Sequence, residues 1–474
     1  MFPIKRALLI LIMISYGAIG CQVTDGSIGG SGKFNSVIEH YRGNTQKQAS
    51  ARYLIKNMKY HSSFRNEEYQ EYCHAIRNVW SGEPLDTVLR LQADVSTYYS
   101  SRLHPVCDEE LVSPEYLIWN IDRSFKMWET SPFLAHLSFE EFCEYVLPYK
   151  CFDGQPVTKW KDDWSNLFLG ELPIATQADF MYGNARKAAE LLTVPYKDLF
   201  CGKPRNEDGC HVLPVFDLET AFLRPYDSCI ENSQLGVMTC RSKGVPVSFD
   251  FVPNWANTTG RHYWNNVLAT RRNENYEPFR ITPGNKHFID NLLPKVYRTT
   301  FGVNRKYLKL VKHGYDIPKP LELCSRDVTR EYTRTVNLKI RLARKYSHEC
   351  LFLCVFDNAK WVPVDISLSG FRSVKFENVG VGALYAVALW DGNSYSPVAT
   401  PEVVDLKGNI RQYKADPEHR VDTSMKRKFP SFVHIFNQQQ YLHGGKLEAS
   451  NDRNFTDVNM VVEFPADSIL SFSR

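Results

Sequence analysis

The chain has 474 residues, of which 43% are hydrophobic, 13% aromatic and 23% charged. This is a globular composition with an aromatic excess, and it excludes a disordered chain, a collagen and a coiled coil. Its 57 basic and 53 acidic residues leave a net charge of +4, too weak an imbalance to bind nucleic acid by field alone, so no nucleic-acid partner is expected. A mean hydropathy of −0.35 excludes a protein with many membrane spans, and the length suggests about three domains, each able to bury a core.

Lys5 and Arg6 precede the apolar run Ala7 to Ile14, followed by the small residues Gly17, Ala18 and Gly20. A basic start, a short apolar run and small residues predict a secretory signal over 1–20. The run is too short for a spanning helix of about 20 residues. Ala18-Ile19-Gly20-Cys21 resembles the lipobox of bacterial lipoproteins, in which the cysteine is lipidated and becomes the mature N-terminus. That resemblance implies lipidation of Cys21 and a location at the cell envelope, on the periplasmic face or the outer-membrane surface. Residues 21–33 are rich in glycine and serine and predict a flexible tether. The twelve cysteines suit an oxidising compartment; with Cys21 lipidated, an odd number remains.

Residues 34–164 read as a helical domain, with apolar residues at helical spacing in 51–58, 116–121 and 139–146. Ser138 and Glu141 have capping-box spacing, and the scattered tryptophans and tyrosines read as helix-packing residues. Residues 165–314 are mixed: a helix over 176–192, a Cys/Pro/Gly-rich loop over 201–213, a helix from Cys229, and strands over 245–252 and 261–268 joined by a turn. Residues 315–474 are β-rich, with alternation in 336–342 and 383–390 that predicts a sandwich, and a turn at His443 to Lys446. The fold class expected is therefore α+β and multidomain.

One constellation carries chemistry. Ser228 and Glu231 have capping-box spacing, which makes Cys229 the first residue of a helix. There the positive helix end and unsatisfied backbone N–H groups favour thiolate, the nucleophilic form. Val245, Val247, Phe249 and Phe251 alternate as a strand with one buried face, which leaves Asp250 on the other face and without a role. His262 and Trp264 share a face of the next strand. A thiol at a helix start packed against a strand bearing an imidazole is the basic unit of thiol nucleophilic catalysis.

The order of these pieces resembles the transglutaminase-like (papain-like thiol) superfamily. Arg241 stands 12 positions after Cys229, Gly244-Val245-Pro246 follows, and His262-Tyr263-Trp264 matches the family's His-x-Trp element. The resemblance covers about residues 165–300, and the whole chain looks like secreted lipoproteins of Gram-negative bacteria. It implies Cys229 as nucleophile and His262 as base, with the backbone N–H of Cys229 as an oxyanion donor. The family has an aspartate after the histidine strand, but Arg280 stands at the expected position in Tyr276 to Arg280. Asn265, Glu277 or Asp290 are the candidates to orient the imidazole instead. Trp361-Val362-Pro363-Val364-Asp365 also matches the missing strand but reads as a coincidence in the β-rich region.

Elsewhere the signals are weaker. Cys201, Cys210 and His211 lack the second pair of a zinc site and read as a loop disulfide. Cys350 and Cys354 read as core thiols, and Asn257-Thr258-Thr259 has the glycosylation pattern. No metal or organic cofactor is implied. Two functions follow from the resemblance. In one, Cys229 and His262 hydrolyse or transfer a peptide or carboxamide bond of a peptide, protein or peptidoglycan-like substrate. In the other, the domain is inactive and serves as a peptide- or glycan-binding scaffold, with the β-rich region adding glycan contacts.

Overall fold

The computed structural model describes residues 32–80, 85–163, 185–193, 217, 220, 229–268, 274–276, 289–346, 349–358, 360–412, 446–449 and 459–463. The signal run, Cys21, the 201–213 loop, Ser228, Glu277, Arg280 and the His443 turn up to residue 445 lie outside them.

The N-terminal part is helical: α1 (Asn35–His40), α2 (Thr45–Met58), α3 (Asn66–Trp80), α4 (Leu85–Ser100), α5 (Asp108–Leu111), α6 (Pro114–Thr130) and α7 (Phe139–Tyr145). The short strands β1 (Ser62–Ser63) and β2 (Val106–Cys107) pair antiparallel between them. Local chemistry sets the helix starts. Ser113 accepts from the Tyr116 N–H, with Pro114 at the first helical position. Ser138 and Glu141 form both halves of a capping box. The apolar stripe Leu117, Ile121 and Phe125 packs with Val37, Leu54 and Phe142 in one core. Trp128 stacks on Phe142 at 4.3 Å, so these aromatics are helix-packing residues.

Next come α8 (Trp160–Asp163), α9 (Ala185–Thr193) and α10 (Cys229–Ser242). The strands β3 (Val247–Val252), β4 (His262–Val267), β5 (Glu274–Tyr276), β6 (Tyr297–Thr299) and β7 (Ser325–Asp327) follow, with α11 (Arg305–Lys312) between the last two. They form one antiparallel sheet in the order β5-β4-β3-β6-β7. The alternation in β3 predicts one buried face, but all six residues of β3 and of β4 are buried. Helix α10 covers one face, where Leu235, Val237 and Met238 meet Phe249, Phe251 and Tyr263. A second cluster of Val252, Trp255, Trp264, Leu293, Val296 and Val328 covers the other.

After α12 (Thr329–Tyr332) every element among the described residues is a strand: β8 (Thr335–Arg341), β9 (Cys350–Asp357), β10 (Lys360–Leu368), β11 (Ser373–Gly380), β12 (Ala383–Trp390), β13 (Tyr395–Pro397), β14 (Glu402–Val404), β15 (Ile410–Gln412), β16 (Lys446–Ala449) and β17 (Asn459–Glu463). The β8–β11 ribbon lays Leu338, Ile340, Val374 and Phe376 into one core with Leu351, Leu353, Val355, Tyr385 and Val387 of the larger sheet. Cys350 and Cys354 are buried thiols, facing the central core. Cys107 is disulfide-bonded.

The fold is therefore α+β. Residues 1–413 make one compact unit and 414–474 a second; the helical, mixed and β-rich stretches up to 413 share the first. Within it, His136 contacts the Leu268 carbonyl, and Lys295 just before β6 reaches Asp365 of β10 at 3.7 Å.

Candidate functional site

Cys229 opens α10, a 14-residue helix buried along most of its length. Its thiol is reduced and half-buried, packed against the central core. It therefore sits at the positive end of the helix, where thiolate is favoured.

His262 opens β4, opposite Val252 in the register with β3. Successive strand residues point to opposite faces, so the partners of its neighbours fix its direction. Asn265 donates from Nδ2 to the Ser233 carbonyl of α10 at 3.0 Å. Tyr263 stacks on Phe249 and Phe251 at 5.2 and 5.3 Å, on the same helix-facing side. His262 and Trp264 therefore face away from α10. The imidazole lies between Trp255 and Trp264, ring centres 5.6 and 5.8 Å away, and is 6% exposed. The structure does not bring the expected pair together: Cys229 lies on one face of the sheet and the His262 ring on the other.

The orienting residues fare likewise. Asn265 is fully buried on the Cys229 side, donating to the Ser233 and Ser248 carbonyls, so it holds the helix against the strand and does not steer the imidazole. Asp290 is exposed. Asp365 of the Trp361–Asp365 stretch is buried; Lys306 at 2.8 Å and Lys295 outweigh the effect of burial and hold its carboxyl below the usual range.

Asp250, expected to point away from any core, is instead fully buried. It accepts from Arg298 Nε and Nη2, both at 2.8 Å, and from the Tyr332 hydroxyl. Tyr332 in turn accepts from the Trp264 indole at 3.0 Å, and Arg298 also reaches Glu331. The second face of β3 is thus a packed ionic core, because a charge there is paired bidentately.

On the helix-facing side, the charge of Cys229 acts on Tyr263. Burial raises the Tyr263 phenol, and the charges of Glu322 and Cys229 raise it further. Glu322 accepts from the Thr299 hydroxyl at 2.9 Å. Burial pushes its carboxyl up to about 7, the range in which a carboxyl can take or give a proton at neutral pH. Next in line is Asp153, whose charge also raises Glu322.

Asp153 belongs to a second cluster. His61 Nδ1 lies 2.8 Å from Asp153, and its Nε2 lies 2.9 Å from the Phe301 carbonyl oxygen. Both partners are acceptors, so the ring donates from both nitrogens and is an imidazolium. Burial lowers its pKa, but the Cys324 thiol and Asp153 hold it well above the usual histidine range. Cys324 stays a thiol, raised by burial more than His61 lowers it. A line of interacting titratable groups therefore runs from Cys229 through Tyr263, Glu322 and Asp153 to His61 and Cys324. Sequence reasoning missed all but the first. His61 and Asp153 are 92 positions apart, so no local spacing signals them. Tyr263 was legible only as the residue between His262 and Trp264.

Among the described residues, no group of three or more His, Cys, Asp and Glu side chains has a metal-holding arrangement. None of the described helices is long and apolar enough to cross a membrane. Comparison with family models, curated proteins and solved structures finds no match to this chain.

Proposed function

We propose that this chain is an exported, lipid-anchored protein of the cell envelope whose transglutaminase-like central domain binds a peptide or glycan ligand without cleaving it. The observation that carries the reading is the direction of His262. A nucleophilic thiol needs its base within hydrogen-bond reach. The His262 ring is instead stacked between Trp255 and Trp264 on the face of the sheet turned away from α10. In this reading Cys229 keeps the position of a nucleophile at the start of α10, while the His262 ring is turned to the other face of the sheet.

The test is turnover. The full chain is incubated with a library of peptides and peptide amides, with Cys229→Ala as control. No hydrolysis or amine transfer that depends on Cys229 is expected. Turnover abolished by Cys229→Ala overturns the binding reading.

A second reading rests on the charges of Cys229 and Glu322 acting on the same group, Tyr263. Here the thiol attacks a carboxamide or peptide carbonyl, its proton passes by way of Glu322, whose carboxyl is pushed up to about 7, to the leaving amine as the C–N bond breaks, and water or a second amine then releases the acyl group from the thioester. Turnover would then survive His262→Ala and be lost in Glu322→Gln. The same library separates the two readings.

A further inference from the structure

The outer face of the β8–β11 ribbon is a cluster of cations. In β8, Leu338 and Ile340 point into the core, so Lys339 and Arg341 point to solvent. In β11, Val374 and Phe376 point inward and Lys375 points out. The register sets Lys339 directly opposite Lys375, with Arg341 opposite Ser373. Arg344, Lys345 and Arg372 are exposed at the same end of the ribbon. None of these six cations forms an ion pair with a described residue. Glu349 and Glu377 are the exposed carboxylates close in sequence.

Like charges directly opposite on neighbouring strands are destabilising. A sequence selected for stability alone would place an acid at one of the two positions. Within this cationic rim stands Phe371, 64% exposed, with the Lys345 ammonium 4.8 Å from its ring centre. An exposed aromatic ring surrounded by cations matches two features of a bilayer interface, anionic headgroups and a layer in which aromatic rings partition. Soluble polyanions offer only the first.

We propose that the β8–β11 face is a docking surface for an anionic lipid bilayer, with the six cations meeting headgroup phosphates and Phe371 entering the interfacial layer. The proposal is independent of the role of Cys229 and of lipidation at Cys21. An acyl anchor would add affinity for any bilayer, whereas this face adds affinity for anionic ones.

The full chain is sedimented with vesicles of phosphatidylcholine alone and with vesicles of phosphatidylcholine and phosphatidylglycerol in equal parts. The readout is the ratio of the two partition coefficients, in which any anchor contribution cancels. The expected ratio is well above one and falls as salt is added. Each cation near such a surface is worth about fivefold. Lys375→Glu removes one positive charge and adds a negative one, so it is expected to lower the ratio about 25-fold. Its melting temperature is expected to stay equal or rise, because Lys339 gains an opposite charge. Arg341→Glu with Arg372→Glu is the second variant and is expected to act in the same direction. Phe371→Ser is expected to weaken binding to the anionic vesicles while leaving the salt dependence in place. A ratio of one in the wild type overturns the proposal, as does a ratio indifferent to both charge variants. Binding unaffected by Phe371→Ser and fully competed by a soluble DNA duplex overturns it in favour of a polyanion in solution.

Discussion

Glu322 illustrates how one side chain connects burial to function. Its carboxyl is pushed up to about 7 chiefly by burial, so the folded chain holds the proton more tightly than the unfolded chain, where the pKa is about 4.3. A raised carboxyl contributes stability that is fully present below the unfolded pKa and lost as pH rises through the folded one. Wild-type stability should therefore fall between about pH 4.3 and 7 relative to Glu322→Gln, by roughly 1–3 kcal/mol once solvent at its partly exposed edge is allowed for. Paired melting curves across that window check it. His61 behaves with the same sign from a cationic side. Its pKa is raised, so its contribution is present below about 6.5 and lost as pH rises through the folded value. His61→Ala removes a buried imidazolium joined to Asp153 and the Phe301 carbonyl. Because the Asp153 side chain is 55% exposed, the expected loss is about 2–3 kcal/mol by denaturant unfolding, at the low end for a broken buried pair. Asp250→Ala should do more, about 3–5 kcal/mol, since it takes the bidentate partner from the buried Arg298 guanidinium and leaves it only Glu331.

The helix–strand unit made of α10, β3 and β4 shows what periodicity can and cannot tell. The start of α10 at Cys229 and both strands were legible in the sequence, because capping spacing and alternation are local signals. Which face of β4 meets the helix was not. Alternation groups His262 with Trp264 and Tyr263 with Asn265, but both groups are buried in this sheet, so hydrophobicity does not choose between them. The choice is made by nonlocal partners: Asn265 ties to Ser233, while Trp264 ties to Tyr332 and thereby to Asp250 and Arg298. A strand with two buried faces removes the polar-outside cue on which the pairing of Cys229 with His262 depended. The turn between α10 and β3 is a further element with a clear requirement. Gly244 has φ +71, and a Cβ there would meet Ser131 Cβ at 2.9 Å. Gly244→Ala should destabilise by more than about 1 kcal/mol, the strain of a left-handed residue plus the displaced serine. A chemical-denaturation midpoint measures it.

In the whole molecule, the cores of the front, middle and rear stretches are sewn together within residues 1–413. His61 from the helical stretch reaches Phe301 beyond β6, and Lys295 before β6 reaches Asp365 of the β-rich stretch. These ties unite residues distant in sequence, which is why composition shifts could mark helical, mixed and β-rich stretches yet not their union. The same long-range packing turns an ordered motif into a different site: the charges of Cys229 and Glu322 both act on Tyr263, while His262 is stacked among tryptophans. The measurement that tests this most directly is the rate of Cys229 alkylation as a function of pH, followed by peptide mass spectrometry in the wild type and in His262→Ala. The account predicts that His262→Ala leaves the whole profile unchanged. Rapid labelling well below pH 8.5, the approximate reference for a free thiol, that disappears in His262→Ala would contradict it and restore a thiolate–imidazole pair.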